Sequence, residues 1–168
     1  MIALVALVCA APFISAWVAY YVIKPTGGKS YGELLPVAQL LTEQDRAAFG
    51  GEALKGKWVL FQREPTACDA ACIDALYASR QARTMLGKDK DRLVRILTVR
   101  TAPIDVAAQH PDLLVKDAMD RVELIEPYSR GLVLVDPLGN QVIVWPKNPD
   151  IKKMNQDLAR LMRASRIG

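Results

Sequence analysis

The sequence predicts an α/β domain, a mixed sheet with helices on its faces, preceded by an apolar helix. Three observations support this fold class. A strand, a helix and a second strand follow one another over residues 56–99, two apolar runs over residues 131–145 are joined by turn residues, and an amphipathic helix follows Pro149. The first unit predicts parallel strands with a right-handed crossover, and the second predicts an antiparallel hairpin. The sheet is therefore expected to contain both kinds of pairing.

The N-terminal segment, residues 2–23, contains no charged residue and almost no polar one. About 20 helical residues are needed to cross a hydrocarbon core. Trp17, Tyr20 and Tyr21 lie near its end, where aromatic rings favour the headgroup level of a membrane. We therefore predict a transmembrane anchor at residues 1–24. A cleaved signal peptide is the alternative, but the run is long for one and no charged region precedes it.

The charges beside this segment favour one orientation, and the chemistry described below favours the other. Lys24 and Lys29 follow the segment, and by the positive-inside rule this arrangement favours a cytoplasmic domain. The glycine-rich run at residues 26–32 has the composition of a flexible tether. We expect residues 25–50 to form this tether and a segment on the domain surface. Residues 51–168 are expected to form the domain itself.

Composition argues against several classes of function. The net charge of +4 is spread along the chain without basic blocks, so we expect no nucleic-acid partner. Of the three cysteines, Cys9 lies in the apolar segment, where a thiol behaves as a small apolar group. Cys68 and Cys72 alone do not make a disulfide framework. A single histidine without a paired nucleophile argues against hydrolysis.

The first strand of the domain is predicted at residues 56–62, where a turn is followed by apolar, aromatic and branched residues. Pro65, Thr66 and the two cysteines come next. Alanine-rich sequence then predicts a helix up to Leu86, which Gly87 ends. The second strand is predicted at residues 92–99. The cysteines thus fall between the first strand and the first helix of the domain.

The second half of the domain contains a hairpin and a terminal helix. Pro111 predicts the start of a short helix, and residues 122–125 predict a brief strand. The hairpin occupies residues 131–145, with its turn at residues 136–140. After Pro149, apolar residues recur at steps of three and four, which predicts an amphipathic helix. This order of elements is that of a thioredoxin-like fold.

Cys68 and Cys72 are the candidate site. Residues four apart on a helix lie on one face, with Cα atoms about 6 Å apart, which a disulfide tolerates. Such a pair can form a reversible disulfide or bind a soft ion such as Cu(I). The N-terminus of a helix favours the thiolate, whereas Asp69 opposes it at Cys68. A static disulfide is the structural alternative, and zinc would need more ligands than these two thiolates.

A copper site would require a third ligand beside the two thiolates. The candidates are His110, Met85 and Met119. His110 stands directly before Pro111, and we interpret it as a surface or capping residue. The methionines are interpreted as packing residues.

The chain resembles the Sco/SenC family of membrane-tethered, thioredoxin-like copper proteins that assist assembly of cytochrome c oxidase. The resemblance rests on the N-terminal anchor, on residues 56–61, on Cys68-x-x-x-Cys72 and on residues 132–139. It implies a thioredoxin-like domain on the periplasmic side of the inner (cytoplasmic) membrane. It also implies an oxidase subunit or assembly factor as the partner.

Two positions depart from the family pattern. Asp69 stands where the family has proline after the first cysteine, and Tyr128 stands where the family has its copper-binding histidine. We therefore predict assembly of the oxidase copper site through thiol–disulfide exchange, with Cys68 attacking and Cys72 resolving. One alternative is a Cu(I) chaperone that uses the same two thiolates. The other is a non-catalytic accessory subunit in which the pair is a static disulfide.

Overall fold

A computed structural model describes residues 1–21, 30–101, 105–117 and 131–165 of the chain. The chain divides into two compact units, Met1–Ser30 and Tyr31–Gly168. The first contains helix α1 (Ile2–Tyr21). Among the described residues, no helix combines the length and the apolar character needed to cross a membrane. The membrane anchor at residues 1–24 therefore remains a prediction.

The second unit contains a mixed sheet, with six strands among its described residues. The strands are β1 (Glu33–Leu34), β2 (Trp58–Ala67), β3 (Leu93–Thr101), β4 (Leu113–Asp117), β5 (Gly131–Val135) and β6 (Gln141–Pro146). The helices are α2 (Glu43–Phe49), α3 (Ala70–Thr84), α4 (Val106–Gln109) and α5 (Ile151–Ala164), with short 3-10 helices at Gly51–Leu54 and Gly87–Arg92. The strand order is β1-β6-β5-β2-β3-β4. Strands β2, β3 and β4 are parallel and the other pairs are antiparallel, which confirms the predicted mixed sheet.

Strand β2 lies at the centre of the sheet and separates two apolar cores. Trp58 and Leu60 face one core, to which α3 and α5 contribute. Val59 and Phe61 face the other, where Phe49 of α2 packs. Successive side chains of a strand point to opposite faces, so a continuous apolar run serves both cores. Helices on both faces were the sequence-based expectation, and it is confirmed.

The predicted hairpin and terminal helix are both present. In the turn between β5 and β6, the Asp136 carboxylate accepts hydrogen bonds from the backbone N–H groups of Leu138 (2.9 Å) and Asn140 (2.8 Å). Gly139 has a φ of +96°, a conformation that favours glycine. Helix α5 begins after Asp150, whose side chain accepts from the N–H of Lys153 at 3.1 Å.

The segment before residue 51 differs from the expectation of a tether and surface segment. Leu40, Leu41 and Phe49 are buried in the core beside α2, and β1 pairs with β6. The carboxylate of Asp157 accepts from the N–H of Gly32 at 2.9 Å. The sequence did not predict these contacts, because α2 is short and the apolar residues before it lie in irregular backbone. Neither gives a helical or strand periodicity.

The short helix predicted to start at Pro111 is wrong. Residues Leu113–Asp117 form β4 and pair in parallel with β3, from Arg95↔Leu113 to Val99↔Asp117. The helical turn of this region comes earlier, at α4. Backbone pairing with β3 overrides the local signal of a proline that could begin a helix. The strand predicted at residues 122–125 lies outside the described residues.

Candidate functional site

The cysteines occupy the connection between the central strand and helix α3. The pairing of β2 with β3 shifts register between Glu64 and Ala67, and Pro65 is tolerated at such an irregularity. The N–H of Cys68 then donates to the carbonyl of Thr101 at 3.4 Å, at the end of β3. The site therefore stands at the carboxyl ends of two parallel strands.

Cys68 and Cys72 are joined by a disulfide. Their Cα atoms are 5.2 Å apart, within the range such a bond requires. Cys68 precedes the helix and Cys72 lies in its first turn. Reduction would produce two thiols at the N-terminus of a helix, where thiolates are favoured.

Asp69 is the N-cap of α3. Its carboxylate accepts from the N–H of Cys72 at 2.9 Å, and its carbonyl accepts from the N–H of Ile73 at 3.0 Å. Aspartate is among the preferred N-cap residues because it satisfies a backbone donor that the helix leaves free. Proline could not supply this hydrogen bond. The departure at Asp69 thus has a structural reason, and it places a negative charge beside Cys68.

The two cysteines differ in their exposure to solvent. Cys72 is fully buried, whereas Cys68 is half-buried. The apolar cluster around them comprises Leu76, Leu97, Val99, Val106, Leu113 and Val115. An incoming thiol or disulfide can therefore reach Cys68 and is kept from Cys72. This asymmetry suits the predicted order of attack, and the two roles remain predictions.

Two polar residues of β2 lie on the same sheet face as the disulfide. The side-chain amide of Gln62 donates to the Cys72 carbonyl at 3.2 Å. Glu64 is buried, and the Lys147 ammonium donates to both of its oxygens, at 3.0 and 3.2 Å. Sequence reasoning missed both residues. The available signal was an amide and a carboxylate at alternate positions, directly after the apolar run of the strand.

A buried arginine fixes helix α3 on the sheet. The Arg95 guanidinium donates to the Leu76 carbonyl at 2.7 Å and to the Ser79 hydroxyl at 2.9 Å, and it pairs with Asp112 at 3.3 Å. Burial lowers the pKa of Arg95 to about 10, while the Asp112 carboxylate opposes the shift. These bonds set the position of the helix that carries Cys72.

His110 is the C-cap of α4, as the capping interpretation allowed, but it is not a surface residue. It follows α4 and is 4% exposed, and its Nδ1 has no hydrogen-bond partner among the described residues. Burial lowers the pKa of His110, and the nearby Arg95 and Arg80 add to this, with Asp112 opposing them. Tertiary packing of α4 against the edge of the sheet, absent from any local pattern, accounts for its burial.

The described residues do not fit a copper site with three ligands. Among them, no group of three or more His, Cys, Asp and Glu side chains could hold a metal ion. Reduction of the disulfide would supply two thiolates. Met85 follows the far end of α3 and is 51% exposed, so it is neither a third ligand there nor the packing residue expected. Met119 and Tyr128 lie outside the described residues.

Comparisons with known proteins identify the family and the fold. A family model described as "Transmembrane-like, thioredoxin-like, C-terminal domain" matches residues 58–165. None of the curated proteins compared with the chain matches it. The family match covers the sheet from β2 onward, the cysteine pair and helix α5.

Solved structures of Sco proteins are also similar to this chain. Copper-bound ScoI from Arabidopsis thaliana is 17% identical, with a TM-score of 0.52, covering 81% of this chain and 100% of that one. Copper-bound yeast Sco1 is 18% identical, with a TM-score of 0.54, covering 81% and 90%. Apo Sco1 from Thermus thermophilus is 17% identical, with a TM-score of 0.52, covering 83% and 98%. At these identities the likeness establishes the fold, and the resemblance to Sco proteins seen in the sequence is confirmed at that level.

Proposed function

Because the chain belongs to the family of transmembrane-like, thioredoxin-like C-terminal domains, we propose that it acts by thiol–disulfide exchange through Cys68 and Cys72. The observation that carries this proposal is the asymmetric disulfide at the start of α3, with Cys68 half-buried and Cys72 fully buried. A four-residue loop gains little from closure in the unfolded state.

The exchange begins with the reduced pair. The Cys68 thiolate attacks a disulfide of the partner, forms a mixed disulfide and releases one partner thiolate. The Cys72 thiolate then attacks the Cys68 sulfur and releases the second partner thiolate. The partner is left reduced and the Cys68–Cys72 disulfide is restored, after which a dithiol reductant returns the pair to its starting state.

The proposed partner is a subunit or assembly factor of cytochrome c oxidase whose cysteines must be reduced before they receive copper. The resemblance to Sco/SenC proteins supports this assignment, together with the reactive pair. The uncharged run at residues 2–23 supports attachment to the inner (cytoplasmic) membrane by a single pass. Disulfide chemistry favours a periplasmic domain, where thiols can be oxidised. Cell fractionation and protease protection of intact spheroplasts test this placement.

Glutathione trapping tests the exchange activity. The full chain with Cys9→Ser is equilibrated in glutathione redox buffers and examined by mass spectrometry. We expect Cys72→Ser to retain one glutathione in a mixed disulfide at Cys68, because no resolving thiol remains. The parent chain should instead close to its internal disulfide, and Cys68→Ser should trap far less. A pair that stays oxidised at every glutathione ratio would refute the proposal and favour a static disulfide in an accessory subunit.

Copper transfer is a second candidate, favoured by the two similar Sco structures that were solved with copper. The same buffers with added Cu(I) and a competing chelator separate it from exchange alone. Copper held by the reduced chain and lost in Cys68→Ala would support a chaperone. Exchange without retained copper would support the redox function.

A further inference from the structure

Two arginine side chains are buried among the described residues of the second unit, and they differ in their partners. Arg95 is 1% exposed, and its guanidinium is bonded to the Leu76 carbonyl and paired with Asp112. Arg46, on α2, is 6% exposed, and its Nη2 donates to the Asp136 carbonyl at 2.9 Å. Among the described residues Arg46 has no ion pair, and its Nε is buried without a hydrogen-bond partner. A buried charge is stabilised by an opposite charge or by hydrogen bonds to most of its polar groups, and these residues provide Arg46 with neither.

The two aspartates that lie beside Arg46 are used in other contacts. Asp45 precedes Arg46 in α2, and its carboxylate accepts from the N–H (3.0 Å) and the hydroxyl (2.7 Å) of Thr42. Asp136 offers Arg46 its carbonyl, while its carboxylate accepts from the N–H groups of the hairpin turn. Neither carboxylate forms an ion pair with the guanidinium. The positive charge of Arg46 is therefore available to a group from outside the chain.

Arg46 lines a cleft of about 520 Å³, a volume typical of sites for small ligands. The lining also includes Glu43, Ala47, Glu52, Lys55 and Gly56. This cleft lies beside the start of β2, since Gly56 comes directly before that strand, whereas the cysteines follow its end. The ten residues of β2 span about 30 Å. The cleft is thus separate from the disulfide.

We propose that this cleft binds a carboxylate group, from a free organic acid or from a peptide C-terminus, through Arg46. A guanidinium donates two parallel N–H bonds to a carboxylate, a geometry that a lysine ammonium lacks. Nη1 has no partner among the described residues and, unlike Nε, is not fully buried, so a ligand in the cleft has access to it. This binding is independent of the exchange at the cysteines.

The other charges of the cleft favour a ligand with a single negative charge. Lys55 pairs with Glu52 at 3.5 Å, so its ammonium is already matched. Glu43, one turn before Arg46 on α2, adds a negative charge to the lining. A dianion such as sulfate would meet more repulsion from these two acids than a monocarboxylate would.

Nuclear magnetic resonance of the full chain tests the site. Arginine side chains are isotopically labelled, and the Nε–H signal of Arg46 is identified by its absence in Arg46→Lys, which keeps the charge. Sodium acetate should shift this signal to saturation with a Kd on the order of 1 mM, the affinity that two charge-assisted hydrogen bonds supply. Sodium chloride at the same ionic strength should give no saturating shift. Sodium sulfate should bind about tenfold more weakly than acetate.

Two peptides identify the source of the carboxylate. Tetra-alanine with a free C-terminus should shift the Arg46 signal, and its C-terminal amide should not. If the free peptide binds about tenfold more tightly than acetate, or better, the natural ligand is a peptide C-terminus. If its affinity equals that of acetate or is lower, the ligand is a free organic acid.

Two alanines of α2 provide a matched pair of variants. Ala47→Glu places a negative charge in the lining and should weaken acetate binding by about tenfold. Ala48 is the next residue, exposed and outside the lining, so Ala48→Glu should change the Kd by less than about twofold. Both variants leave the bond from Arg46 to Asp136 in place, and neither should alter glutathione trapping at Cys68.

Three results would overturn the inference. One is an Arg46 signal that acetate leaves unshifted, which would assign hydration of the guanidinium to water alone. Another is unchanged acetate binding in Ala47→Glu, which would place the anion elsewhere. The third is sulfate binding as tight as that of acetate, which would indicate general attraction of anions. All three leave the exchange function intact, because glutathione trapping measures that function separately.

Discussion

Asp69 combines two roles that substitutions can separate, a helix cap and a negative charge beside the attacking thiol. In the unmodified chain the N–H of Cys72 donates to the Asp69 carboxylate at 2.9 Å. Asp69→Asn keeps a side-chain oxygen as the acceptor and removes the charge. Asp69→Ala removes both. We expect Asp69→Asn to leave the free energy of unfolding nearly unchanged and Asp69→Ala to lower it by about 1 kcal/mol.

The charge effect on Cys68 can be estimated from its surroundings. At about 6 Å, two charges interact by about 0.7 kcal/mol in water and about 2.8 kcal/mol at an effective dielectric constant of 20. Cys68 is half-buried, so about 1 kcal/mol is appropriate, and the thiolate fraction should rise about fivefold when the charge is removed. A more acidic thiol is a weaker nucleophile, with a Brønsted coefficient of about 0.4 to 0.5. The net reaction rate should therefore increase about two- to threefold.

Alkylation provides the assay. The reduced chain carries Cys9→Ser and Cys72→Ser, so that Cys68 is its only thiol, and iodoacetamide is added at pH 7. Asp74→Asn, at an exposed carboxylate one turn further along α3, is the matched control and should change the rate much less. A rate that Asp69→Asn leaves unchanged or lowers would show that the carboxylate does not act on Cys68 through its charge.

Two further predictions concern the framework of the domain. A Cβ atom on Gly32 would lie 2.7 Å from both Ile143 Cγ1 and Trp145 Nε1, so Gly32→Ala should lower the free energy of unfolding by about 1–3 kcal/mol, measured with urea. An unchanged urea midpoint would contradict this close approach. Burial lowers the pKa of His110 in the folded chain from the ordinary 6.5, so below that pH the unfolded chain binds a proton that the folded chain does not. Stability should fall as the pH is lowered from 6.5 toward the folded value, and His110→Gln should reduce the fall between pH 7.5 and 5.5. An identical fall in both proteins would show that His110 does not cause it.

The regular elements of the domain could be predicted because their signals are local. The apolar run that begins at Trp58 is short and branched, and it lies between glycine and proline boundaries, which favours a buried strand. Asp136 and Gly139 mark a turn by their own backbone preferences. The three- and four-residue spacing of Ile151, Met154 and Leu158 needs no partner to be recognised.

The elements that were missed depend on contacts with distant parts of the chain. Residues Leu113–Asp117 become a strand because β3 offers a parallel edge, and nothing in their own pattern excludes a helix. His110 is buried by its neighbours in space. Asp69 was recognised as a charge beside Cys68 but not as a cap, since capping depends on where the helix begins.

The sequence by itself determined that two cysteines follow an apolar strand at the start of a helix, because strand and helix periodicities and turn residues act over a few positions. Only the tertiary structure decided which cysteine is buried and which polar side chains lie on the same sheet face. The burial of Cys72 arises from β3, β4 and α4, and Lys147 reaches Glu64 from a position 83 residues later in the chain. Long-range packing sets the exposure and the electrostatic surroundings of a thiol, and these control its reactivity.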